Sequence, residues 1–185
     1  MINVTFITGN QGKADFLSNF LEFPVKHQKL ELDELQSLDL REIVEHKARQ
    51  AYSQLQTPVL VEDVGLTLDG LGRLPGPFIK WFIEELGLDG ICDFVSKLNN
   101  DKAATNVCFA YFDGRKIHYF DGSVAGRIAK APKGEGGFGY DRIFIPDGWG
   151  KTHAEMDGDE IKKSGLRTST VFPQIKEFLI SLDKK

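Results

Sequence analysis

The sequence predicts one α/β domain in which an antiparallel meander is set into an otherwise alternating β/α chain. Short apolar runs typical of buried strands, at residues 2–7 and 59–61, alternate with apolar residues that recur at helical spacing. Two β-rich runs, residues 105–112 and 116–120, are joined across Asp113-Gly114, which is a strong hairpin signal. Because no repeat, low-complexity tract or long linker interrupts the chain, we expect residues 1–185 to form a single domain.

Composition and charge exclude several classes of protein. Hydrophobic residues make up 41% and charged residues 27% of the 185 residues, which is ordinary for a soluble globular protein. The net charge of −4 and the lack of a basic run argue against a nucleic-acid backbone as the main partner. Cys92 and Cys108 have no metal-ligand spacing, so neither zinc nor a disulfide framework is expected. Without a signal peptide or a membrane-length apolar run, we expect a cytoplasmic protein with no membrane partner.

The first strand leads through a short polar loop into a helix. Residues 2–7 are typical of a strand, and a helical face follows at Ala14, Phe16, Leu17, Phe20 and Leu21. The loop between them carries Thr8, Gly9, Asn10 and Lys13. A glycine-bearing turn at a helix N-terminus is a natural anion site, and Lys13 would add a full charge. The alternative is an asparagine-capped helix with no ligand.

A second strand and helix are predicted next. Residues 30–35 are typical of a short strand that leads into acids, and apolar residues recur at helical spacing from Leu40 to Leu55. Lys47 falls on or beside that apolar stripe, where it either extends outward to solvent or meets an anion. A later amphipathic helix is expected around residues 91–98.

The strand at residues 59–61 is predicted to end in two adjacent carboxylates, Glu62 and Asp63. Placing two buried acids side by side raises the pKa of at least one of them, and a cation or a reaction is the usual reason. The alternative is a pair of solvated acids at a strand end. A glycine- and proline-rich segment follows and leads to Lys80, which stands among aromatic residues at positions 78–82.

The last third of the chain is predicted to complete the meander and add helices. Asp121-Gly122 introduces a third β-rich run at residues 123–129, and residues 142–146 are typical of a further strand. The intervening glycines spell G-x-G-x-x-G, but a strand after them excludes a dinucleotide fingerprint. The loop at residues 138–141 presents aromatics that can stack on a base, or that alternatively belong to the core. Residues 157–163 predict a short helix or loop, and residues 172–182 a last amphipathic helix.

Taken together, these features point to a nucleoside triphosphate with Mg²⁺. Three groups of residues carry the chemistry: the lysines Lys13, Lys47 and Lys80, the acids Glu34, Glu62 and Asp63, and the aromatics Phe138 and Tyr140. Lysines offset phosphate charge, carboxylates hold a hard cation, and aromatic rings hold a base.

The chain resembles the inosine triphosphate pyrophosphatase family, which hydrolyses non-standard purine nucleoside triphosphates. The matching segments span nearly the whole chain: Thr8-Gly9-Asn10 with Lys13, residues 59–66 with Glu62-Asp63, LPGPFIKWF at residues 74–82, FGYD at residues 138–141, Pro146-Asp147-Gly148 and Ala154-Glu155-Met156. The resemblance implies an elongated α/β fold with a long mixed sheet, flanking helices, two lobes around a central substrate cleft, and a homodimer.

The resemblance also implies a reaction and the residues that perform it. Water would attack the α-phosphorus of ITP, dITP or XTP and release nucleoside monophosphate and pyrophosphate, with Mg²⁺ required. Asp63 is implied as the catalytic base, with Glu34, Glu62 and Asp63 as metal ligands. The phosphates would be contacted by Thr8, Asn10, Lys13, Lys47 and Lys80, and the base would be held by Phe138, Tyr140 and Asp141. Further substrate-binding residues are implied at Gly9, Val64, Gly139, Lys162 and Arg167.

The sequence departs from the family near its C-terminus. Members carry a lysine followed a few residues later by Ser-His-Arg, whereas this chain has Ile161 and then Gly165-Leu166-Arg167. Lys162 or Lys163 would replace the missing lysine by a small shift. Losing the histidine hydrogen bond would weaken base recognition by about 1–3 kcal/mol. We therefore keep two alternatives open: the same chemistry on another modified nucleotide, or a nucleotide-binding homologue without catalysis.

Overall fold

The computed structural model describes residues 4–183 as a mixed α/β fold, which confirms the predicted class. Its strands are β1 (Thr5–Ile7), β2 (Lys26–Gln28), β3 (Val59–Leu68), β4 (Pro75–Gly76), β5 (Lys102–Phe112), β6 (Ile117–Ile128) and β7 (Phe144–Pro146). Its helices are α1 (Gln11–Leu21), α2 (Leu40–Leu55), α3 (Ile79–Lys97), α4 (Gly158–Ser164) and α5 (Phe172–Asp183).

All seven strands belong to one mixed sheet. Six of them lie in the order β2-β1-β3-β5-β6-β7, and β4 pairs with β3 outside this path. β1 is parallel to both β2 and β3, whereas β4 is antiparallel to β3 and β7 is antiparallel to β6. The parallel end therefore contains the alternating β/α part of the chain, and the antiparallel end contains the meander.

The chain divides into two compact units, and three strands contribute to both. The first unit comprises residues 4–63, 107–121 and 170–183 of the described chain, and the second comprises Val64–Asn106 and Gly122–Ser169. β3, β5 and β6 each begin in one unit and end in the other.

The first unit has a core built from α2 and the sheet. Val44 and Ala48 of α2 are fully buried among small and β-branched residues such as Val59 and Ala110. Small residues on α2 let the helix approach the strands closely, because little side-chain volume separates the two layers. Aromatic residues pack α5 against the sheet: the ring centre of Phe172 in α5 lies 5.9 Å from that of Phe109 in β5.

The second unit has its own core, in which α3 packs on β3 and β7. Leu66, Leu68, Ile91 and Phe144 are almost fully buried in it. Helix α3 contains a kink at Gly87, whose φ of 66° and ψ of 171° are not helical. Glycine adopts this positive φ without the steric penalty that a side chain would carry. The predicted helix at residues 91–98 is thus the second half of α3.

Side-chain caps fix where the helices begin. The carboxylate or amide oxygens of Asn10, Asp39 and Asp157 accept hydrogen bonds from the first-turn amides of α1, α2 and α4. Such caps satisfy amide groups that have no partner inside the helix. The predicted helices at the start of the chain, at residues 40–55 and at residues 172–182 are confirmed.

The predicted strand at residues 30–35 is wrong. The strand between α1 and α2 that pairs with β1 is β2, at Lys26–Gln28, and residues 30–35 are irregular. Glutamine side chains of α2 form hydrogen bonds with the backbone of this segment instead of a neighbouring strand. Asp33 N donates to Gln50 Oε1 at 3.0 Å, and the Gln54 side chain donates to the carbonyl of Glu31 at 3.4 Å. Glutamine contacts of this kind have no signature in hydrophobic periodicity.

Two predicted strand boundaries are also wrong. β3 does not end at Glu62 but continues to Leu68, so the acids lie inside the strand. β6 runs unbroken through Asp121-Gly122, and the third strand of the meander is β7. The side chain of Asp121 accepts from Arg41 Nε at 3.0 Å rather than closing a turn. Ile2 and Asn3 of the predicted first strand lie outside the described residues.

No helix within residues 4–183 is long and apolar enough to cross a membrane.

Candidate active site

Hydrogen bonds order the loop before α1, where the sequence predicts an anion site. Asn10 N donates to Thr8 Oγ1 at 3.1 Å, and the Asn10 side chain accepts from Lys13 N at 3.1 Å. Thr8 is half-buried, whereas Gly9 and Asn10 are exposed. The capping that the sequence offered as an alternative is present. The loop lies at the N-terminus of the eleven-residue α1, a position that favours an anion.

The two adjacent acids of β3 are each paired with a lysine from a helix. Lys13 Nζ lies 2.5 Å from Glu62 Oε1, and Lys47 Nζ lies 2.9 Å from Asp63 Oδ1. Successive side chains point to opposite faces of a strand, so neighbouring acids reach partners on different helices. Lys47 therefore meets an anion inside the protein rather than extending into solvent.

Burial dominates the electrostatics of Asp63. It raises the pKa of this carboxyl above the ordinary value, since desolvation disfavours the charged form. The ammonium of Lys47 opposes the rise, and the neighbouring carboxylate of Glu62 adds to it. The net direction is upward, which makes Asp63 a better proton acceptor when ionised than an exposed aspartate.

A cavity of about 260 Å³ brings several predicted residues together in the first unit. Its lining includes the residues Ile7, Thr8, Gly9, Leu30, Glu31, Leu32, Glu34, Lys47, Val61 and Glu62. The polar part combines the anion loop, one lysine and two candidate metal-binding acids, Glu34 and Glu62. Lys13 and Asp63 join this set through their ion pairs with lining residues.

The carboxylates suit Mg²⁺ by their chemistry. Glu34 and Glu62 line the same cavity, and Mg²⁺ is commonly held by one or two carboxylates together with substrate phosphates. Within residues 4–183, no group of three or more histidine, cysteine, aspartate or glutamate side chains is gathered as a metal cluster. Two glutamates on one cavity fit a cation that substrate phosphates also help to bind.

The second unit holds further candidate substrate-binding residues. Lys80 is exposed on the first turn of α3, 3.9 Å from Glu84 and 5.2 Å from the centre of the Trp81 ring. Val64 is half-buried on β3. Lys162 is exposed on α4 and lies 3.6 Å from Asp159.

The loop at residues 138–141 is held together by its own aspartate. Phe138 N donates to Asp141 Oδ2 at 2.9 Å, and Gly139 between them has a φ of 61°. The Phe138 ring is 49% exposed, and the guanidinium of Arg167 lies 5.3 Å from its centre. Tyr140 packs against the core of the second unit. The exposed ring of Phe138 can stack on a base, whereas Tyr140 is a core residue, as the alternative interpretation predicts.

The divergent segment is tightly packed. Leu166 is buried at 6% exposure, at the position where the resemblance places a histidine. An added Cβ at Gly165 would lie 2.5 Å from the carbonyl oxygen of Ile161 and 2.7 Å from Thr168 Oγ1. The surroundings of Gly165 therefore exclude the serine side chain of the family motif unless the end of α4 shifts.

Sequence reasoning missed one residue in this region, His153. Its side chain is buried, and its ring nitrogens lie near Asp141 and the carbonyl of Ser164. A single histidine between a glycine-rich loop and an alanine carries no periodic or motif signal, so only the fold could reveal it.

Comparison with known proteins identifies the family. A family model described as the Ham1 family matches residues 4–172. The chain belongs to the Ham1 family. "Inosine triphosphate pyrophosphatase 2" from Trypanosoma cruzi is 42% identical over 172 residues, covering 91% of this chain and 88% of the relative. "dITP/XTP pyrophosphatase" from Methanopyrus kandleri is 38% identical over 175 residues, covering 92% and 93%.

Solved structures agree on the fold. A HAM1 protein from Coxiella burnetii matches with a TM-score of 0.86 at 23% identity, covering 98% of this chain and 100% of the other. The Staphylococcus aureus Ham1 protein matches with a TM-score of 0.79 at 21% identity, covering 97% and 98%. The predicted resemblance to the inosine triphosphate pyrophosphatase family is confirmed, because several relatives carry that name.

Proposed function

We propose that this Ham1-family member hydrolyses non-standard purine nucleoside triphosphates, of the ITP, dITP and XTP type, to nucleoside monophosphate and pyrophosphate. The enzyme class, a hydrolase acting on acid anhydrides, follows from relatives named inosine triphosphate pyrophosphatase and dITP/XTP pyrophosphatase. The observation that carries the proposal is a cavity of the first unit whose lining includes the loop residues Thr8 and Gly9, Lys47 and the acids Glu34 and Glu62.

The phosphates would be bound by the loop and the lysines. The N-terminus of α1 and the ammonium groups of Lys13 and Lys47 would offset negative charge on the phosphoryl oxygens. Each hydrogen bond from such a charged group contributes about 1.5–3 kcal/mol. Lys80, which is exposed on α3 and lies 3.9 Å from Glu84, would add a third charge.

The reaction needs a base, which we assign to Asp63. The oxygen of a water molecule attacks the α-phosphorus, the bond from that phosphorus to the bridging oxygen breaks, and pyrophosphate leaves. Asp63 accepts the proton released from the water, a role that its burial and raised pKa support. Lys47 holds this carboxylate in place at 2.9 Å.

Magnesium is proposed as the cofactor. When bound, Mg²⁺ would neutralise phosphate charge and orient the attacking water. Glu34, Glu62 and Asp63 are the residues that would hold it. A homodimer, which the family resemblance implies, and a cytoplasmic location, which the sequence pattern predicts, remain predictions. Sedimentation tests the first, and fractionation of cells that express the protein tests the second.

The base would be recognised by residues of the second unit. Phe138 offers an exposed ring, Asp141 an acceptor, and Arg167 a guanidinium beside that ring. Stacking on an aromatic ring contributes about 1–3 kcal/mol per base with little selectivity, so discrimination depends on the polar groups. The buried Leu166 cannot donate a hydrogen bond to a 6-oxo group, which favours altered selectivity as the second candidate function.

Product analysis across ITP, XTP, dITP, GTP, ATP and dUTP, with and without Mg²⁺, tests the proposal. We expect monophosphate and pyrophosphate from ITP and XTP, with GTP and ATP spared. Pyrophosphate release mainly from another nucleotide would establish the second candidate. Binding without turnover of any nucleotide would refute catalysis and leave a nucleotide-binding homologue.

Asp63→Asn separates chemistry from binding. We expect hydrolysis to fall by at least about 100-fold, the low end of what a general base contributes, with triphosphate binding largely retained. Asp93→Asn, an exposed aspartate on α3, is the matched control and should leave both unchanged. Full turnover in Asp63→Asn would contradict the assignment of the base.

A further inference from the structure

A buried histidine lies against the candidate base-binding residues without being one of them. His153 is 7% exposed, and its ring centre lies 5.4 Å from that of Phe144 in the core of the second unit. The other histidines within residues 4–183 are exposed or half-buried. A buried polar ring needs partners for its nitrogens, and both nitrogens here face polar atoms of other segments.

The backbone around His153 is bonded directly to the loop that carries Phe138 and Asp141. Ala154 N donates to the carbonyl of Asp141 at 3.1 Å, and Gly136 N donates to the carbonyl of Ala154 at 3.1 Å. Thr152 closes the same turn, since its hydroxyl donates to the carbonyl of Lys133 at 3.0 Å. These bonds fix the backbone on both sides of His153 relative to the loop.

One ring nitrogen of His153 contacts Ser164, the residue before the divergent segment Gly165-Leu166-Arg167. His153 Nε2 lies 3.3 Å from the carbonyl oxygen of Ser164. A carbonyl only accepts hydrogen bonds, so Nε2 must carry the proton and donate. Ser164 immediately precedes Gly165-Leu166-Arg167, and the guanidinium of Arg167 lies beside the Phe138 ring.

The other nitrogen lies beside the aspartate of the loop. His153 Nδ1 is 3.7 Å from Asp141 Oδ1, a close contact that is longer than a hydrogen bond. The second oxygen of Asp141 accepts from Phe138 N at 2.9 Å. The ring of His153 thus lies between the carboxylate of Asp141 and the carbonyl of Ser164, which is three residues before Arg167.

We propose that His153 is a positioning residue for base recognition, which sets the spacing between the Phe138–Asp141 loop and the Ser164–Arg167 segment. The inference rests on the proposed function, because it assumes that these two segments bind the base. A phenylalanine would fill the same space and keep the contact with Phe144. The polar contacts to Ser164 and Asp141 are what the imidazole adds.

The test compares His153→Phe with His153→Gln. The phenylalanine variant keeps the ring and removes the donor, whereas glutamine restores an N–H that can reach the carbonyl of Ser164. We expect His153→Phe to raise KM for ITP and to lower the ITP-over-GTP ratio of kcat/KM by about 3- to 10-fold, the effect of one hydrogen bond, with kcat changed less than about 2-fold. His153→Gln should recover most of the selectivity.

His118→Phe is the matched control. Its ring also packs on an aromatic, 4.6 Å from the centre of Phe178, but it belongs to the first unit. This variant should leave KM and the nucleotide ratio unchanged. A melting temperature is measured for every variant, so that loss of stability is separated from loss of recognition.

Equilibrium binding of inosine monophosphate and of inorganic pyrophosphate provides a readout without turnover. His153→Phe should weaken binding of the monophosphate by about the same 3- to 10-fold and leave pyrophosphate binding unchanged. If the wild type hydrolyses ITP but His153→Phe keeps its KM and nucleotide ratio, the positioning role is refuted while the proposed function stands. A wild type that neither hydrolyses nor binds these nucleotides refutes both.

Discussion

Replacing Gly165 by alanine should destabilise the protein, because the end of α4 has no room for a side chain. The added Cβ would lie 2.5 Å from the carbonyl oxygen of Ile161. That oxygen already accepts from Gly165 N at 2.7 Å and from Thr168 Oγ1 at 2.7 Å. It cannot retreat from the new methyl group without lengthening both hydrogen bonds. The φ of −68° at Gly165 is ordinary, so the whole penalty is steric.

The size of the effect follows from these contacts. Overpacking typically costs about 1–3 kcal/mol. Alanine also reduces the freedom of the unfolded chain, which offsets about 0.4–1 kcal/mol. We therefore expect a net loss of about 1–2 kcal/mol in the free energy of unfolding. For a chain of this size, each kcal/mol corresponds to about 2–4 °C in melting temperature.

Urea unfolding of Gly165→Ala beside Gly158→Ala measures the effect. Gly158 is in the first turn of the same helix, and an added Cβ there would meet no atom within 4 Å. The control should be neutral or stabilising by up to about 1 kcal/mol, since alanine is the better helix former. Equal urea midpoints for the two variants would refute the steric argument.

Three further predictions concern other parts of the chain. Leu166→His should raise the preference for ITP over ATP, because the histidine can form the hydrogen bond that leucine cannot. It should also lower the melting temperature, because a polar ring enters a buried site. An unchanged nucleotide ratio would contradict the role assigned to this position. Burial, aided by nearby acids, raises the pKa of Cys92 to about 11, so alkylation at pH 8 should be roughly 100-fold slower in the native than in the unfolded protein, as mass spectrometry would show. The backbone amide of Lys116 lowers the pKa of Asp113, so its stabilisation is present above the unfolded pKa and lost as pH falls through the folded pKa. Asp113→Ala should accordingly show a smaller loss of stability between pH 6 and pH 3 in urea titrations, by less than about 1 kcal/mol because the group is largely exposed.

The sequence was a good guide wherever one signal repeated over several residues. Helices α1, α2 and α5 were predicted from apolar residues at helical spacing, and the hairpin at Asp113-Gly114 from its turn residues. The sequence was a poor guide where the local structure depends on a contact with a residue far away in the chain. Asp121-Gly122 has the composition of a turn, yet Arg41, eighty residues away in the chain, binds the aspartate and the strand continues.

The candidate site shows the same limit. The family motifs located the acids and lysines, but not which acid each lysine meets. The sequence predicts either solvent or an anion as the surroundings of Lys47, because its partner Asp63 lies sixteen residues away on another element. The exposure of Phe138 and the core packing of Tyr140 were equally hidden, since two aromatics that flank a glycine are indistinguishable by pattern alone.

The pairing of lysines with acids also bears on what the site can bind. Lys13 with Glu62 and Lys47 with Asp63 are two neutral pairs, each with side chains largely removed from water. An anion alone would have to draw a lysine from a buried carboxylate, and a cation alone would have to draw a carboxylate from a lysine; either leaves a charge uncompensated at high cost. A ligand that brings both signs of charge, as a nucleoside triphosphate does with its cation, compensates both partners at once. The charge arrangement of the chain itself therefore favours such a ligand over a simple anion or a free metal ion.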